Sequence, residues 1–294
     1  MTAAGRTIVV GANGQVGSSL LVQLGASGVG ISRNEAQFGS RDDLVRALDA
    51  LGQVQAVINA AAYNNVDGAE SERGEAFLIN ADLPGWLAEW SAARAVPFVH
   101  YSTEYVFPDG HSVAWSESDS PAPLNTYGES KLAGERAVLR VDGNSVVIRT
   151  SWVYSVGNSN FVQRVLELAA LGNPLTMVSD QVGSPTDAAD LARATLALLQ
   201  STSRGEAMNN QILHLAGSGS VNRAEFSRAI IEAGVHAGVI RSAVPVIETL
   251  TTAQTAAARR PTNCVLDCSK ARVLGIELTP WQEALTRVVQ EMRV

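Results

Sequence analysis

Residues 7–10, TIVV, run directly into GANGQVG, and this junction constrains the fold more than any other stretch of the chain. Four β-branched residues in a row suit a strand buried on both faces, as in a parallel sheet. Glycines follow at 11, 14 and 17, and an apolar helical pattern runs from Val16 to about Leu24. The spacing is Gly-x-x-Gly-x-x-Gly. It gives a tight turn, a close backbone approach and a helix N-terminus aimed at a pyrophosphate. A glycine triplet alone is a weak signal; between a strand and a helix it becomes a dinucleotide-loop motif.

The pattern then repeats. A second strand over Gly28 to Ser32 ends at Arg33, where a dinucleotide site that binds a ribose 2′-OH would carry a carboxylate. An arginine there suits a 2′-phosphate, with Glu35 the nearest acid. A helical pattern at 41–51 precedes a third strand, Val54 to Asn59, which ends in Ala60, Ala61 and Ala62. Small residues at a strand's carboxyl end let a ligand approach the backbone. Helical patterns follow through AFLINADLPGWLAEWSAA, with Asn80 a polar residue among apolar ones. The fourth strand, PFVHY, opens into Ser102-Thr103-Glu104-Tyr105, and a turn-rich stretch separates it from the next helix. SVVIR is the fifth strand. Strands alternating with helices predict an α/β fold, a doubly wound parallel sheet of the Rossmann type.

Beyond Trp152 the alternation loosens. The expected division is a dinucleotide-binding domain over 1–151, joined by a helix at about 187–201. A smaller C-terminal substrate lobe takes about 152–186 and 202–294, with QILHLAG as one of its strands.

The candidate chemistry lies at NTYGESK, where Tyr127 precedes Lys131 by four residues. One helical turn stacks the two side chains on one face. A phenol of pKa ~10 is a poor acid at neutral pH, and a neighbouring cation is expected to lower that value. Isolated, this spacing describes a half-exposed tyrosine and a solvated lysine. Yet the chain holds only two lysines, Lys131 and Lys270, against twenty arginines. A lysine kept where arginine is the habit points to a role.

Composition excludes several alternatives. A net charge of −7 argues against a nucleic-acid or anionic membrane surface. Two cysteines make no disulfide framework, and four scattered histidines offer no metal-ligand spacing. There is no signal-peptide pattern or bilayer-length apolar run, so a cytoplasmic setting is expected.

Taken together, GANGQVG, NAAA, STEYVF, YGESK and RTSWVY resemble the extended short-chain dehydrogenase/reductase family, and within it the nucleotide-sugar 4-ketoreductases. DQVGSPTDAADLA and RRPTN extend the resemblance over nearly the whole chain. It implies NADPH, with NADH as the alternative cofactor, and a dTDP-4-dehydro-6-deoxy-L-hexose as substrate, with dTDP-L-rhamnose the expected product. Another antibiotic-type deoxysugar, or a catalytically silent NADP-binding regulatory subunit, stands as the alternative. A homodimer is the assembly considered.

The resemblance further implies that Tyr127 protonates the 4-keto oxygen, Lys131 tunes Tyr127 and holds the nicotinamide ribose, and Thr103 shares the oxygen. Gly11, Asn13, Gly14, Gln15, Val16 and Gly17 would form the pyrophosphate loop, with Ala60, Ala61 and Ala62 lining the cleft. Val66, Glu104, Tyr105 and Trp152 fall near the sugar. Arg260 falls near the nucleotide half, where a fork of donors suits a diphosphate. The family usually carries Asp where Glu104 stands and an acid near the adenine, about where QFGS stands here. The stretch between the glycine loop and the third strand is also short. These departures bear on the sugar and on the NAD/NADP choice.

Overall fold

A computed structural model describes residues 5–33, 38–157, 159–202, 208, 210–251 and 257–292. Glu35 lies outside these residues. The first half alternates β1 (Arg6–Val10), α1 (Gln15–Leu24), β2 (Gly28–Ile31), α2 (Arg41–Asp49) and β3 (Val54–Asn59). Helices α3 (Val66–Ser71), α4 (Arg73–Phe77) and α5 (Leu83–Ala92) follow, with a π turn over Leu78–Asp82 between the last two. Then come β4 (Phe98–Thr103), α6 (Thr126–Leu139) and β5 (Ser145–Thr150).

The strands of this half form a parallel sheet in the order β5-β4-β3-β1-β2. Their side chains alternate as a strand buried on both faces requires. Ile8, Val10, Val57, Phe98 and Val147 pack under α2, α5 and α6. Val9, Ile58, Val99, Val146 and Ile148 face α1 and, on the same side, α8 (Ala188–Thr202). The chain leaves β1 toward β2 and returns to the other side of β1 as β3. This reversal opens a crevice at the carboxyl ends of β1 and β3.

The second half is built from β6 (Val153–Tyr154), α7 (Phe161–Ala170), β7 (Leu175–Val178), β8 (Val182–Gly183) and β9 (Thr186–Asp187), then α8. Beyond it lie β10 (Gln211–His214), β11 (Val221–Asn222), α9 (Arg223–His236), β12 (Val246–Thr249), β13 (Asn263–Cys264), α10 (Ser269–Val273) and α11 (Trp281–Glu291). Phe226, Trp281, Leu166 and Val288 centre a separate core formed by α7, α9 and α11.

One strand departs from the sequence expectation. Gln211–His214, expected in the smaller lobe, pairs in parallel with β5 and extends the main sheet to six strands. The physical reason lies in α8, whose Leu191, Ala192 and Leu198 pack on the sheet beside Leu213. A helix laid on a parallel sheet returns the chain to that sheet's edge. Among the described residues, no helix is long and apolar enough to cross a membrane.

Candidate active site

The crevice is a cleft of about 530 Å³ at the carboxyl edge of the sheet. The glycine loop forms its floor. Gly11 has φ +85, and a Cβ added there would lie 2.4 Å from the Ala61 nitrogen, so the turn and β3 meet at a distance only glycine permits. At Gly17 an added Cβ would lie 2.2 Å from the Gly11 oxygen, which holds α1 against the turn. Gly17 is buried beneath the loop, whereas Gly11, Asn13, Gly14, Gln15 and Val16 line the cleft. Gly14 caps α1 with extended backbone and no side-chain hydrogen bond, so the first-turn N–H groups remain for an anion.

Ala60, Ala61 and Ala62 line the opposite wall, fixed by Asn59, whose Oδ1 accepts from the Ala61 N–H at 3.1 Å. Arg33 is exposed at the rim beside Ser32 and Phe38. An uncapped helix end, a close-packed glycine turn and a rim guanidinium together fit a dinucleotide with a 2′-phosphate.

Tyr127 and Lys131 line the same cleft from α6, which Asn125 caps through the Gly128 N–H at 2.8 Å. Their tuning differs from the sequence expectation. The Lys131 ammonium donates to the Tyr101 carbonyl at 2.6 Å, and burial brings its pKa down to about 8. Burial, followed by the charge of Glu104, pushes the Tyr127 phenol above its ordinary range, while a hydrogen bond with Thr103 opposes the shift. A low-polarity site penalises the phenolate, and this penalty governs Tyr127 here.

Behind Lys131, Glu135 continues the same helix face. It accepts from Ser102 Oγ at 2.5 Å and from Arg149 at 2.8 and 2.6 Å, forming a buried ion pair that ties α6 to β4 and β5. Asn80, in the π turn, bonds the Tyr63 backbone and Ser130 of α6.

A second group of side chains meets Tyr127 outside the cofactor cleft. Tyr105 stands edge-on to Tyr127, with ring centroids 5.5 Å apart. Glu104 is only 3% exposed and accepts from Thr103 Oγ1 at 2.8 Å, so its added methylene is turned into the protein. Burial raises its carboxyl pKa to about 7. Trp152 has φ 44, an unusual value for a bulky residue, and lies under the Arg223 guanidinium at 3.4 Å from the ring centroid. Val66 opens α3, and the next residue, Asp67, takes both arms of Arg260 at 2.7 and 3.3 Å. Arg260 is thereby engaged by a carboxylate.

Sequence reasoning missed Arg223, which also lies over Phe161 at 4.6 Å. It is the first residue of α9, directly after the Asn222 cap. A cation at the positive end of a helix is unfavourable, and that misplacement was the available signal. Ser102, read from sequence as a hydroxyl at the end of the fourth strand, lines the cleft, as do Phe38, Asn64, Ile79, Tyr101, Thr150 and Val153, which had not been singled out.

Compared with known proteins, residues 5–294 match the family described as RmlD substrate binding domain. A dTDP-4-dehydrorhamnose reductase of Sinorhizobium fredii is 36% identical over 289 residues, covering 97% of this chain and 96% of that protein. One from Mycobacterium tuberculosis is 38% identical, covering 77% of this chain and 75% of its own. Among solved structures, the Bacillus anthracis dTDP-4-dehydrorhamnose reductase in complex with NADP superposes with a TM-score of 0.89. It is 30% identical, with 98% of this chain and 99% of that chain covered.

Proposed function

This chain belongs to the RmlD substrate binding domain family, and from that premise we propose its reaction. It reduces the 4-keto group of a dTDP-4-dehydro-6-deoxy-L-hexose with NADPH, turning dTDP-4-dehydro-L-rhamnose into dTDP-L-rhamnose. The observation that carries the reading is Tyr127, half-buried where the dinucleotide cleft ends and the Thr103–Glu104–Tyr105 group begins. A proton donor at that boundary can serve a ketone presented to the cleft.

NADPH, when bound, supplies the hydride. Tyr127 gives its phenolic proton to the ketone oxygen, and its raised pKa keeps that proton in place until negative charge develops there. Thr103 orients Tyr127 and shares the oxygen. The buried Lys131 ammonium, anchored on the Tyr101 carbonyl, sets a positive charge at the cleft wall, where it steadies a developing oxyanion. Gly11, Asn13, Gly14, Gln15 and Val16 at the first turn of α1 would hold the pyrophosphate, Arg33 would take the 2′-phosphate, and Ala60 to Ala62 would admit the dinucleotide close to the backbone.

Mixing the purified protein with NADPH and dTDP-4-dehydro-L-rhamnose is expected to oxidise NADPH. Tyr127→Phe is expected to lower kcat by ~10²–10⁴-fold, the usual worth of a positioned acid. Oxidation no faster than in the Tyr127→Phe control would sink the reading.

A further inference from the structure

We propose that Glu104 is a positioning residue for the reduction: its carboxyl sets which way the Thr103 hydroxyl points its proton, and Arg223 sets when that direction changes. The inference rests on the reaction proposed above. Its starting point is the 2.8 Å hydrogen bond between Thr103 Oγ1 and Glu104 Oε2.

An ionised carboxylate only accepts, so Thr103 must then give its single proton to Glu104. Toward Tyr127 it can offer only lone pairs, and the phenolic proton is drawn to Thr103 instead of a ketone. A neutral carboxyl can donate. The bond then reverses within the same distance, and the Thr103 proton is released to share the ketone oxygen with Tyr127. The anion also raises the Tyr127 pKa, which weakens the acid. Both effects favour reduction while Glu104 is neutral.

Glu104 is 3% exposed, and its surroundings place its titration in the working range. Burial raises its pKa to about 7, and the hydrogen bond from Thr103 and the charge of Arg223 hold it from rising further. The titratable and charged groups facing it are Tyr105 from its own turn, Tyr127 from α6, Arg223 from α9 and Cys264 from β13. Arg223 is the cation of this set. Among the described residues its guanidinium forms no ion pair and is held by stacking on Trp152 and Phe161, so it acts on Glu104 through space. Arg260, the next arginine, is engaged by Asp67.

The test is the pH profile of kcat/KM for wild type, Glu104→Gln, Arg223→Met and Arg223→Lys. It is combined with a carboxyl ¹³C NMR titration of Glu104 in the protein alone. Wild type is expected to lose activity as pH rises through about 7, the Glu104 value. Glu104→Gln, always neutral, is expected to keep activity until Lys131 deprotonates near 8. Arg223→Met removes a charge that favours the anion, so both the NMR midpoint and the falling limb move up, while Arg223→Lys restores both.

A structural role alone would lower activity without moving the limb. Limbs that coincide in wild type and Glu104→Gln, or a Glu104 titration in the ordinary carboxylate range, overturn the proposal. If wild type oxidises no NADPH at any pH, the proposed reaction has failed. The NMR midpoints of wild type and Arg223→Met then decide the carboxyl's behaviour by themselves.

Discussion

At Lys131 a single side chain carries two opposed demands. Burial holds its pKa near 8, below the 10.5 of an exposed lysine. The charged ammonium therefore opposes folding below pH 8, and that penalty is relieved as the pH rises toward 10.5. The hydrogen bond to the Tyr101 carbonyl offsets part of the cost. A residue that weakens the fold and is kept fits a chemical role. Lys131→Met is accordingly expected to cut kcat/KM by at least ~10²-fold while the Tm stays within about 3 °C of the parent. Thermal melts beside steady-state kinetics check it; a collapse of Tm with proportionate loss of activity would assign Lys131 to structure alone. The Tyr-x-x-x-Lys spacing was legible in sequence because a helix repeats every turn. The controlling influence on Tyr127 was not, because burial and the Glu104 charge come from chain segments distant in sequence or folded inward.

Elements were legible in proportion to their periodicity. β1 to β5 and the helices between them follow from alternating apolar runs, caps and glycines. The pairs β8, β11 and β13 hold two residues each and carry no period to read. β10 was visible as a strand but not as a member of the main sheet, because its partner β5 lies more than sixty residues earlier and the packing of α8 that brings them together is a long-range contact. Arg223 was hidden in a similar way: its helix was plain, while the aromatic surface that receives it comes from Trp152 and Phe161. The glycine loop was the most legible element because its demand is steric. Gly17→Ala would put a methyl 2.2 Å from the Gly11 oxygen and force α1 off the turn. Such overpacking is expected to destabilise by about 1–3 kcal/mol. NADPH binding should weaken by more than ~10-fold, the equivalent of about 1.4 kcal/mol. Denaturant melts and NADPH titration measure both, and unchanged affinity would place the pyrophosphate elsewhere.

On the scale of the whole molecule, the candidate site draws on the parallel sheet and, through Arg223 stacked on Trp152, on the lobe centred on Phe226 and Trp281. The sheet and the turns at its carboxyl edge contribute the glycine loop, the alanine wall and Thr103, and α6 contributes Tyr127 and Lys131. The lobe contributes Arg223, and the C-terminal segment brings Arg260 against Asp67 of α3. The reaction proposed for this arrangement is hydride delivery from NADPH to the carbonyl carbon at position 4 of a dTDP-sugar. The most direct measurement uses NADPH deuterated at the transferable position of nicotinamide C4, with dTDP-4-dehydro-L-rhamnose as acceptor and NMR of the product sugar as readout. One deuterium is expected at C4 of dTDP-L-rhamnose, formed by wild type and almost absent with Tyr127→Phe. Deuterium at any other carbon, or a sugar left unreduced while NADPH is bound, would contradict it.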